Sequence, residues 1–273
     1  MSRPEESPLG KPAAYGERYD PGLLFSIERA PQRATLGLGD SLPFSGADLW
    51  TAYELSWLDP RGKPDIAIGR FSVSADSPRI VESKSLKLYL NSFSQTPFDS
   101  AAAVGQAIAA DLGTAFGAAV AIELVGPREF ARLRPGELEG ESIDDLPIEV
   151  RGYTPRADLL AAGGPAIEET LVSQLFKSNC PVTGQPDWGS VQVRYRGPRV
   201  DRAGLLRYLV SYRRHAAFHE HCVERIFVDF RERCRPEKLT VYARFTRRGG
   251  IDINPFRSDW EAAPRAGTRT ARQ

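Results

Sequence analysis

Two short stretches decide the fold, YLNSF at residues 89–93 and YLVSY at residues 208–212. The second stretch follows the first by 119 residues. The same spacing superposes the alternating stretch VAIEL (120–124) on LTVYA (239–243). Similarities that recur in the same order along a chain indicate a duplicated unit.

Each copy begins near a turn of the pattern GxPD, which is GKPD at 62–65 and GQPD at 184–187. Apolar residues alternate over 191–195, which predicts a half-buried strand. They then recur every four positions over 218–230, which predicts a helix. The order strand, strand, helices, strand in each copy predicts an α+β fold with antiparallel pairing. The apolar stretch 168–176 fits either a helix or a strand.

The chain is predicted to have four parts. Residues 1–45 are rich in turn-forming residues and lack periodicity, so we expect an N-terminal arm that wraps or docks. Residues 46–150 and 151–257 are expected to form a first and a second module. Residues 258–273 form an irregular tail.

The composition is that of an ordinary globular protein, with 41% hydrophobic and 26% charged residues among 273. A net charge of +1 predicts no direct binding to nucleic acid or to a membrane surface. The sequence has neither a signal-peptide pattern nor an apolar run of about 18 residues, so no membrane span is expected. Its cysteines, Cys180, Cys222 and Cys234, are expected to be free thiols in a reducing, cytoplasmic setting.

Cys180 precedes a proline and a tight turn, and Asp187 follows seven residues later. Lys177 and backbone N–H groups of the turn are expected to favour the reactive thiolate. If the turn reverses the chain, Asp187 lies across from Cys180 and could donate a proton, provided that burial raises its pKa. Position alone favours plainer roles, which are a small buried hydrophobe for the cysteine and a turn cap for the aspartate.

The stretch FHEHC at 218–222 brings two histidines and a cysteine together. On a helix His219 and His221 lie about 200° apart, so they cannot share a metal ion, and no metal is expected. Glu220 could offer its carboxylate to the N–H edge of a guanine-like base. Taken alone, such a glutamate is more often simply solvated.

Two stretches are suited to binding phosphate. ESKSLKLY at 82–89 combines capping hydroxyls with Lys84 and Lys87 at an expected helix start. TRRGG at 246–250 joins arginines to glycines, which let the backbone approach a ligand. A capped amphipathic helix and a plain turn explain them equally well. The GLG at 37–39 lacks the third glycine of a Rossmann fingerprint, so a nicotinamide cofactor would bind in another way.

Together these stretches resemble the NADPH-dependent nitrile reductases of queuosine biosynthesis, the 7-cyano-7-deazaguanine reductases, in their long two-module form. The resemblance covers most of the chain outside the arm, residues 126–166 and the tail. The matching stretches are LPFSGADLWTAYELSWL (42–58), ESKSLKLYLNSFSQT (82–96), EETLVSQLFKSNCPVTGQPDWGS (168–190), RYLVSYR (207–213), AAFHEHCVERI (216–226) and LTVYARFTRRGGIDINPFR (239–257).

This resemblance implies two tandem tunnelling-fold modules, each a four-stranded antiparallel sheet with two helices on one face. The ESKS stretch belongs to the first module, whereas Cys180 and the FHE and RRGG stretches belong to the second. The division implies a site where the two modules meet. Members of this long form are expected to be homodimers.

The resemblance also implies the chemistry. Cys180 would attack the nitrile of 7-cyano-7-deazaguanine to form a covalent thioimidate, and Asp187 would protonate the nitrogen. Two NADPH would then reduce the thioimidate, and next the imine, to the primary amine. His219 would be catalytic as well, since it would close the site and exclude water.

The binding residues follow from the same resemblance. The substrate would be held by Val81, Glu82, Ser83, His219 and Glu220. NADPH would be held by Ser83, Lys84, Arg248 and Gly249.

Three other functions remain open at this level. A metal-dependent cyclohydrolase of the same fold would need a Cys/His ligand set that the sequence does not offer. A cysteine nitrile hydrolase would share the thioimidate but would add water and release ammonia. A non-catalytic tRNA-binding module conflicts with the near-zero net charge.

Overall fold

The computed structural model describes residues 18–264 and 269–273, together with Gly16. The first half of the chain contains β1 (Ser26–Glu28), α1 (Ala30–Ala34), β2 (Ser45–Leu58), β3 (Pro64–Ser74), β4 (Arg79–Val81), α2 (Ser83–Asn91), α3 (Ala101–Phe116), β5 (Val120–Val125) and β6 (Glu141–Ser142). The second half contains β7 (Ala162–Asn179), β8 (Pro186–Val200), α4 (Arg202–Ser211), α5 (His219–Cys234), β9 (Lys238–Phe245) and β10 (Ile251–Ser258). Short 3₁₀ helices lie at Pro21–Leu23, Pro127–Arg132, Ala157–Leu159 and Tyr212–Arg214.

Eight strands form one continuous sheet in the order β5-β3-β2-β10-β9-β8-β7-β6. Neighbouring strands are antiparallel except β6 and β7, which run parallel. The two modules join where β2 pairs with β10, from Ala52 opposite Ile251 to Ser45 opposite Ser258. The predicted α+β fold with antiparallel pairing is therefore confirmed, and a backbone ladder fixes one module against the other.

The long helices cover one face of the sheet. Trp50 of β2 packs with Tyr89 of α2 and Ile108 of α3, and a second core joins β8 and β9 to α4 and α5. Burial of one such side chain contributes about 1.5–3 kcal/mol. Because successive side chains point to opposite faces of a strand, the residue after Trp50 faces the side that the helices leave uncovered.

The first module differs from expectation in its strand count. Of its described strands, only three lie next to one another in the sheet, β5, β3 and β2, and not the expected four. After Val125 the chain enters the 3₁₀ helix at Pro127–Arg132, where proline lacks the N–H that a further strand would need. Strand β6 pairs with β7 of the second module instead. The second module supplies the expected four strands, β7 to β10.

The N-terminal arm contacts the modules through a strand pair and through ion pairs. Residues 1–15 and 17 of the predicted arm lie outside the described part of the chain. Strand β1 pairs with β4, with Ser26 opposite Val81. Arg29 forms an ion pair with Asp48 of β2. Arg33 Nη2 lies 2.7 Å from Glu224 Oε1 on α5, so the arm contacts both modules.

Arg257 of β10 completes this buried charge network. Its Nη1 lies 2.8 Å from Asp48 Oδ1, and its Nη2 lies 2.9 Å from Glu224 Oε1. Asp48 belongs to the first module and Glu224 to the second, so the fully buried guanidinium bridges the modules. Removing one partner of a buried pair of this kind costs about 3–5 kcal/mol, since a charge is left uncompensated.

The apolar stretch 168–176 and the C-terminal tail both have defined places in the fold. Residues 168–176 lie within β7, so that stretch is a strand. Gln273 Nε2 of the irregular tail donates to the carbonyl oxygen of Phe245 at 2.8 Å. No helix among the described residues has the length and apolar character needed to cross a bilayer.

Candidate active site

One cavity collects side chains from both modules beside the first residues of α2 and α5. It holds about 340 Å³ of open space, including its mouth. Residues anticipated from the sequence line it, namely Val81, Ser83, Cys180, Asp187, His219, Glu220 and Arg248. Residues that the sequence did not single out also line it, namely Trp50, Ile80, Pro181, Ala217, Phe218 and Ile253.

Cys180 follows the last residue of β7 and is held by its own loop. Its backbone N–H donates to the carbonyl oxygen of Gln185 at 2.8 Å, and its carbonyl oxygen accepts from Gly184 at 3.0 Å. Gly184 has a φ of +68°, a conformation that glycine adopts without the steric cost of a Cβ. The loop therefore reverses the chain as predicted, and the thiol is buried in a defined position.

Asp187 lies on β8, opposite Ser178 in the strand register, and faces two nitrogen groups. Its Oδ2 lies 3.5 Å from His219 Nε2 at the first position of α5. Its Oδ1 lies 3.2 Å from Arg248 Nε, in the turn between β9 and β10. The carboxylate is thus held between a helix start and a turn that are distant in sequence.

The protonation state of Asp187 differs from the expectation. Burial acts to raise the pKa of Asp187, but hydrogen bonding and charge from His219, with the charges of Arg248 and Lys177, outweigh burial and lower that pKa below its ordinary value. The condition under which Asp187 could donate a proton at the outset, a pKa raised by burial, is therefore not met. A carboxyl group of this kind is ionised at neutral pH, so it has to accept a proton before it can donate one.

Lys177 contacts groups other than the thiol that it was expected to activate. Its ammonium donates to Asn179 Oδ1 at 2.5 Å and to the carbonyl oxygen of Arg213 at 2.8 Å. Burial, followed by the charge of Arg213, lowers the pKa of Lys177.

Glu220 is buried at the second position of α5 and lines the cavity. The backbone N–H of Glu220 itself is a hydrogen-bond donor to this carboxylate, and no other described residue forms a hydrogen bond or an ion pair of the usual length with it. Burial and the charge of Asp48 raise the pKa of Glu220. Since a buried carboxylate with so few donors is costly, this group is suited to a ligand that brings N–H donors.

In the first module, Glu82 is the N-cap of α2. Its carboxylate accepts from the backbone N–H of Lys84 at 2.7 Å and of Ser85 at 2.9 Å. The expectation that a hydroxyl caps this helix is therefore wrong, because the glutamate has this role. Glu82 is buried behind Ser83 and is not among the residues that line the cavity.

A second groove, of about 700 Å³, adjoins the cavity and shares Ser83, His219, Arg248 and Ile253 with it. Its other lining residues are Lys84, Lys87, Gln185, Thr246, Gly249 and Ile251. Two lysines, one arginine and no carboxylate line it, which suits a ligand that bears phosphates.

The RRGG stretch is a tight turn that helps to build this groove. The backbone N–H of Arg248 donates to the carbonyl oxygen of Ile251 at 2.9 Å. Gly249 and Gly250 have φ values of +64° and +80°, which favour glycine. A Cβ on Gly249 would lie 3.0 Å from Lys87 Nζ, so glycine also keeps space open beside the lysine.

Gln185 is a site residue that the sequence analysis missed. Its backbone carbonyl holds the N–H of Cys180, and its side-chain Oε1 accepts from Arg248 Nη1 at 2.7 Å. It therefore connects the cysteine loop to the groove. The only signal in the sequence was its place in the GQPD turn.

The remaining cysteines and histidines are not among the residues that line the cavity or the groove. Cys222 and Cys234 are buried thiols, and burial raises the pKa of Cys222 to about 12. Within the described ranges no three His, Cys, Asp or Glu side chains are grouped as ligands for a metal ion.

Two family descriptions match separate parts of the chain. "Nitrile reductase, 7-cyano-7-deazaguanine-reductase N-term" matches residues 15–124, and "QueF-like protein" matches residues 186–264. The first range contains the α2 start, and the second contains Asp187, α5 and the RRGG turn.

Curated relatives match almost the whole chain. A protein of Bordetella pertussis with the name NADPH-dependent 7-cyano-7-deazaguanine reductase is 60% identical over 268 residues, which are 98% of each chain. Proteins of the same name from Paraburkholderia phytofirmans and Burkholderia multivorans are 57% and 56% identical over 272 residues, with 99% of each chain covered. The crystal structure of the archaeosine synthase QueF-Like in the apo form matches with 16% identity and a TM-score of 0.32, over 36% of this chain and 97% of that one. The chain belongs to the family of NADPH-dependent 7-cyano-7-deazaguanine reductases.

Proposed function

We propose that this chain is an NADPH-dependent nitrile oxidoreductase that reduces 7-cyano-7-deazaguanine to 7-aminomethyl-7-deazaguanine, with two NADPH per nitrile, for queuosine in tRNA. One observation carries the proposal: Cys180, Asp187 and Glu220 line one cavity, and a cationic groove opens directly onto it. Such a pair of spaces suits a small base beside a phosphate-bearing cofactor.

Cys180 is the proposed nucleophile. Its sulfur forms a bond to the nitrile carbon, and one π bond of C≡N breaks to leave the C=N of a covalent thioimidate. Asp187, ionised at the outset, takes the thiol proton and passes it to the nitrogen. The same carboxylate is thus first a base and then an acid, in keeping with its lowered pKa.

Two NADPH, bound one after the other, would each supply one hydride, and each reduction would consume one further proton. After the first hydride reaches the thioimidate carbon, the Cys180 thiolate leaves and an imine remains in the cavity. His219 stands between the cavity and the groove, where it excludes water that would hydrolyse the imine. The second hydride and a proton then give the primary amine.

Substrate recognition is assigned to residues at the starts of α2 and α5. The carboxylate of Glu220 accepts from the N–H edge of the deazaguanine ring, which compensates its burial. Val81, Ser83 and His219 contact the ring. Glu82 acts from behind them, since its carboxylate fixes the helix start that presents Ser83.

The groove residues fit the cofactor. Lys84 and Arg248 would hold phosphate oxygens, Ser83 would offer a hydroxyl, and Gly249 would let the backbone approach. These four residues are therefore proposed as the NADPH contacts.

The proposal also includes the module boundaries, the fold of each module and the oligomeric state. The modules, 46–150 and 151–257, are two tandem tunnelling-fold units, and the chain works as a cytoplasmic homodimer without direct nucleic-acid binding. Strand β5 is at the edge of the sheet, and no other described strand pairs with its outer side, which supports such an assembly. Light scattering at assay concentration tests the dimer, and a monomeric mass at full activity would contradict it.

The function is tested by following NADPH absorbance after mixing the protein with 7-cyano-7-deazaguanine. We expect nitrile-dependent oxidation that stops at two NADPH per nitrile, with the aminomethyl product confirmed by mass. Release of ammonia without NADPH oxidation would instead identify a nitrile hydrolase.

A further inference from the structure

A second pocket lies on the face of the sheet that the helices leave uncovered. Trp50 of β2 lines the active-site cavity, whereas Thr51 and Tyr53 of the same strand line this pocket, because neighbouring side chains point to opposite faces. The pocket holds about 1140 Å³ of open space, including its mouth. The proposed catalytic residues do not line it.

The lining of this pocket is strongly cationic. It contains five arginines and no acidic residue, and its lining residues are Thr51, Tyr53, Ile68, Arg70, Phe130, Arg132, Leu133, Arg134, Arg244 and Arg269. The whole chain carries a net charge of only +1, so this excess of positive charge is a local feature. A concave surface of one sign raises the local concentration of ligands of the opposite sign.

The arginines differ in how far their charge is already neutralised. Arg70 pairs with Glu123 at 3.1 Å, and Arg132 lies 4.0 Å from Glu129, both acids being more than half exposed. The buried Arg244 donates to two neutral groups, Gln273 Oε1 and the Tyr242 hydroxyl, and its charge also acts on the buried Asp252.

Arg134 and Arg269 have no carboxylate within ion-pair distance anywhere in the described chain. Arg269 lies over the ring of Tyr53, with its guanidinium carbon 5.9 Å from the ring centroid. Arg247 lies over the same ring at 5.2 Å. Two guanidinium groups therefore lie beside one aromatic ring, whose hydroxyl donates to Asp252 Oδ2 at 2.5 Å. This arrangement leaves the forked donors of Arg134 and Arg269 available to a ligand.

We propose that this pocket binds a diphosphate group, either free or as part of a nucleotide. The forked guanidinium groups of Arg134 and Arg269 match two phosphate oxygens each, and Arg132 and Arg244 add positive charge at the walls. Phe130 and Tyr53 offer aromatic surface on which a nucleobase can stack. The proposal is independent of the reductase function, since it involves the opposite face of the sheet.

Isothermal titration calorimetry with pyrophosphate and, separately, with ADP tests this site. We expect saturable binding of at least one ligand at concentrations below about 1 mM. Tighter binding of ADP identifies a nucleotide as the source of the phosphates, and equal or tighter binding of pyrophosphate identifies the free anion.

The decisive variant is Arg134→Glu/Arg269→Glu, in which both replaced side chains are exposed and folding is therefore retained. We expect its affinity to fall by at least about tenfold, because two charge-assisted contacts become repulsive. Arg61→Glu is the matched control, since Arg61 is 86% exposed in the β2–β3 turn and should leave the affinity unchanged.

ADP could also enter the groove beside the active site, so Arg248→Glu separates the two locations. The proposal requires that Arg248→Glu keeps the pyrophosphate or ADP affinity measured for the parent protein. Absence of binding at 1 mM, equal affinity in Arg134→Glu/Arg269→Glu, or a loss confined to Arg248→Glu would each overturn it.

Discussion

The two GxPD turns have nearly the same sequence and opposite surroundings. The side chain of Asp65 in the first turn is 48% exposed and lies 3.5 Å from Lys63 Nζ. The side chain of Asp187 in the second turn is 6% exposed, between His219 and Arg248. Four residues before each turn glycine the chain has Leu58 in the first module and Cys180 in the second. The turn is therefore a structural feature of both modules. The residues packed around its aspartate determine whether that aspartate can take part in catalysis.

The N-termini of α2 and α4 give a second comparison, in which the first module supplies the residue beside the cavity. Glu82 caps α2 and Asp201 caps α4, each by accepting backbone N–H groups of the first turn. Glu82 is buried beside the cavity, whereas Asp201 is exposed. The active-site cavity thus combines the N-terminus of α2, from the first module, with the GxPD turn of the second module. This division explains why neither copy of the repeat contains a complete site.

Substitution of Asp187 and of Asp65 should give the largest difference in kcat between the two modules. Asp187→Asn cannot accept the thiol proton, so we expect kcat to fall by about 10²- to 10⁴-fold. Asp65→Asn should remain within about twofold of the parent, because its carboxylate is solvated. Steady-state NADPH oxidation measures both. Similar losses in the two variants would mean that Asp187 serves the turn alone.

Glu220→Gln should weaken nitrile binding selectively. Loss of a charged acceptor opposite two N–H donors is expected to raise KM for the nitrile about 10- to 100-fold, with KM for NADPH within about twofold. Glu232→Gln, exposed on the same helix, is the matched control. An equal increase in both KM values for Glu220→Gln would indicate a disturbed helix and would remove its role in recognition.

Gln185 can be compared with its counterpart in the first turn, Lys63. Gln185→Ala removes the acceptor of Arg248 Nη1, so we expect KM for NADPH to rise about tenfold. Lys63→Ala lies at the equivalent position of an exposed turn and should change neither kinetic constant. If Gln185→Ala leaves KM for NADPH unchanged, the connection between the cysteine loop and the groove is not used in cofactor binding.

The smallest expected effect is on the pH dependence of the free energy of unfolding. It arises in the second module, which contains all three histidines. Burial, followed by the charges of Arg225 and His221, lowers the pKa of His215 to about 4 from an ordinary value of 6.5. The unfolded chain therefore binds a proton between pH 6.5 and 4 that the folded chain does not, so stability falls as pH falls through this window.

This contribution is measured by urea unfolding at pH 7 and pH 5. The parent should lose at most about 2 kcal/mol more than His215→Gln between the two pH values. An identical pH dependence of the two proteins would show that His215 titrates normally when folded.

Much of this arrangement could be predicted from the sequence. Periodicity located the strands β5, β8 and β9 and the helix α5, and turn residues located the loop after Cys180. These are local properties, set by hydrophobic spacing and by glycine or proline. The resemblance then assigned roles that spacing alone left open.

What could not be predicted depends on packing between distant segments. The lowered pKa of Asp187 requires His219 and Arg248 to lie beside it, although they are 32 and 61 residues further along the chain. The buried pairing of the arm with Glu224 and the missing fourth strand of the first module are of the same kind. No periodic pattern encodes such contacts.

The central claim is that Cys180, at the junction of the two modules, forms a covalent adduct with the nitrile. Intact-protein mass spectrometry after incubation with 7-cyano-7-deazaguanine, without NADPH, tests it most directly. We expect a gain of one substrate mass per chain that is absent in Cys180→Ala and retained in Cys234→Ala. An adduct that persists in Cys180→Ala, or steady NADPH oxidation by that variant, would contradict it.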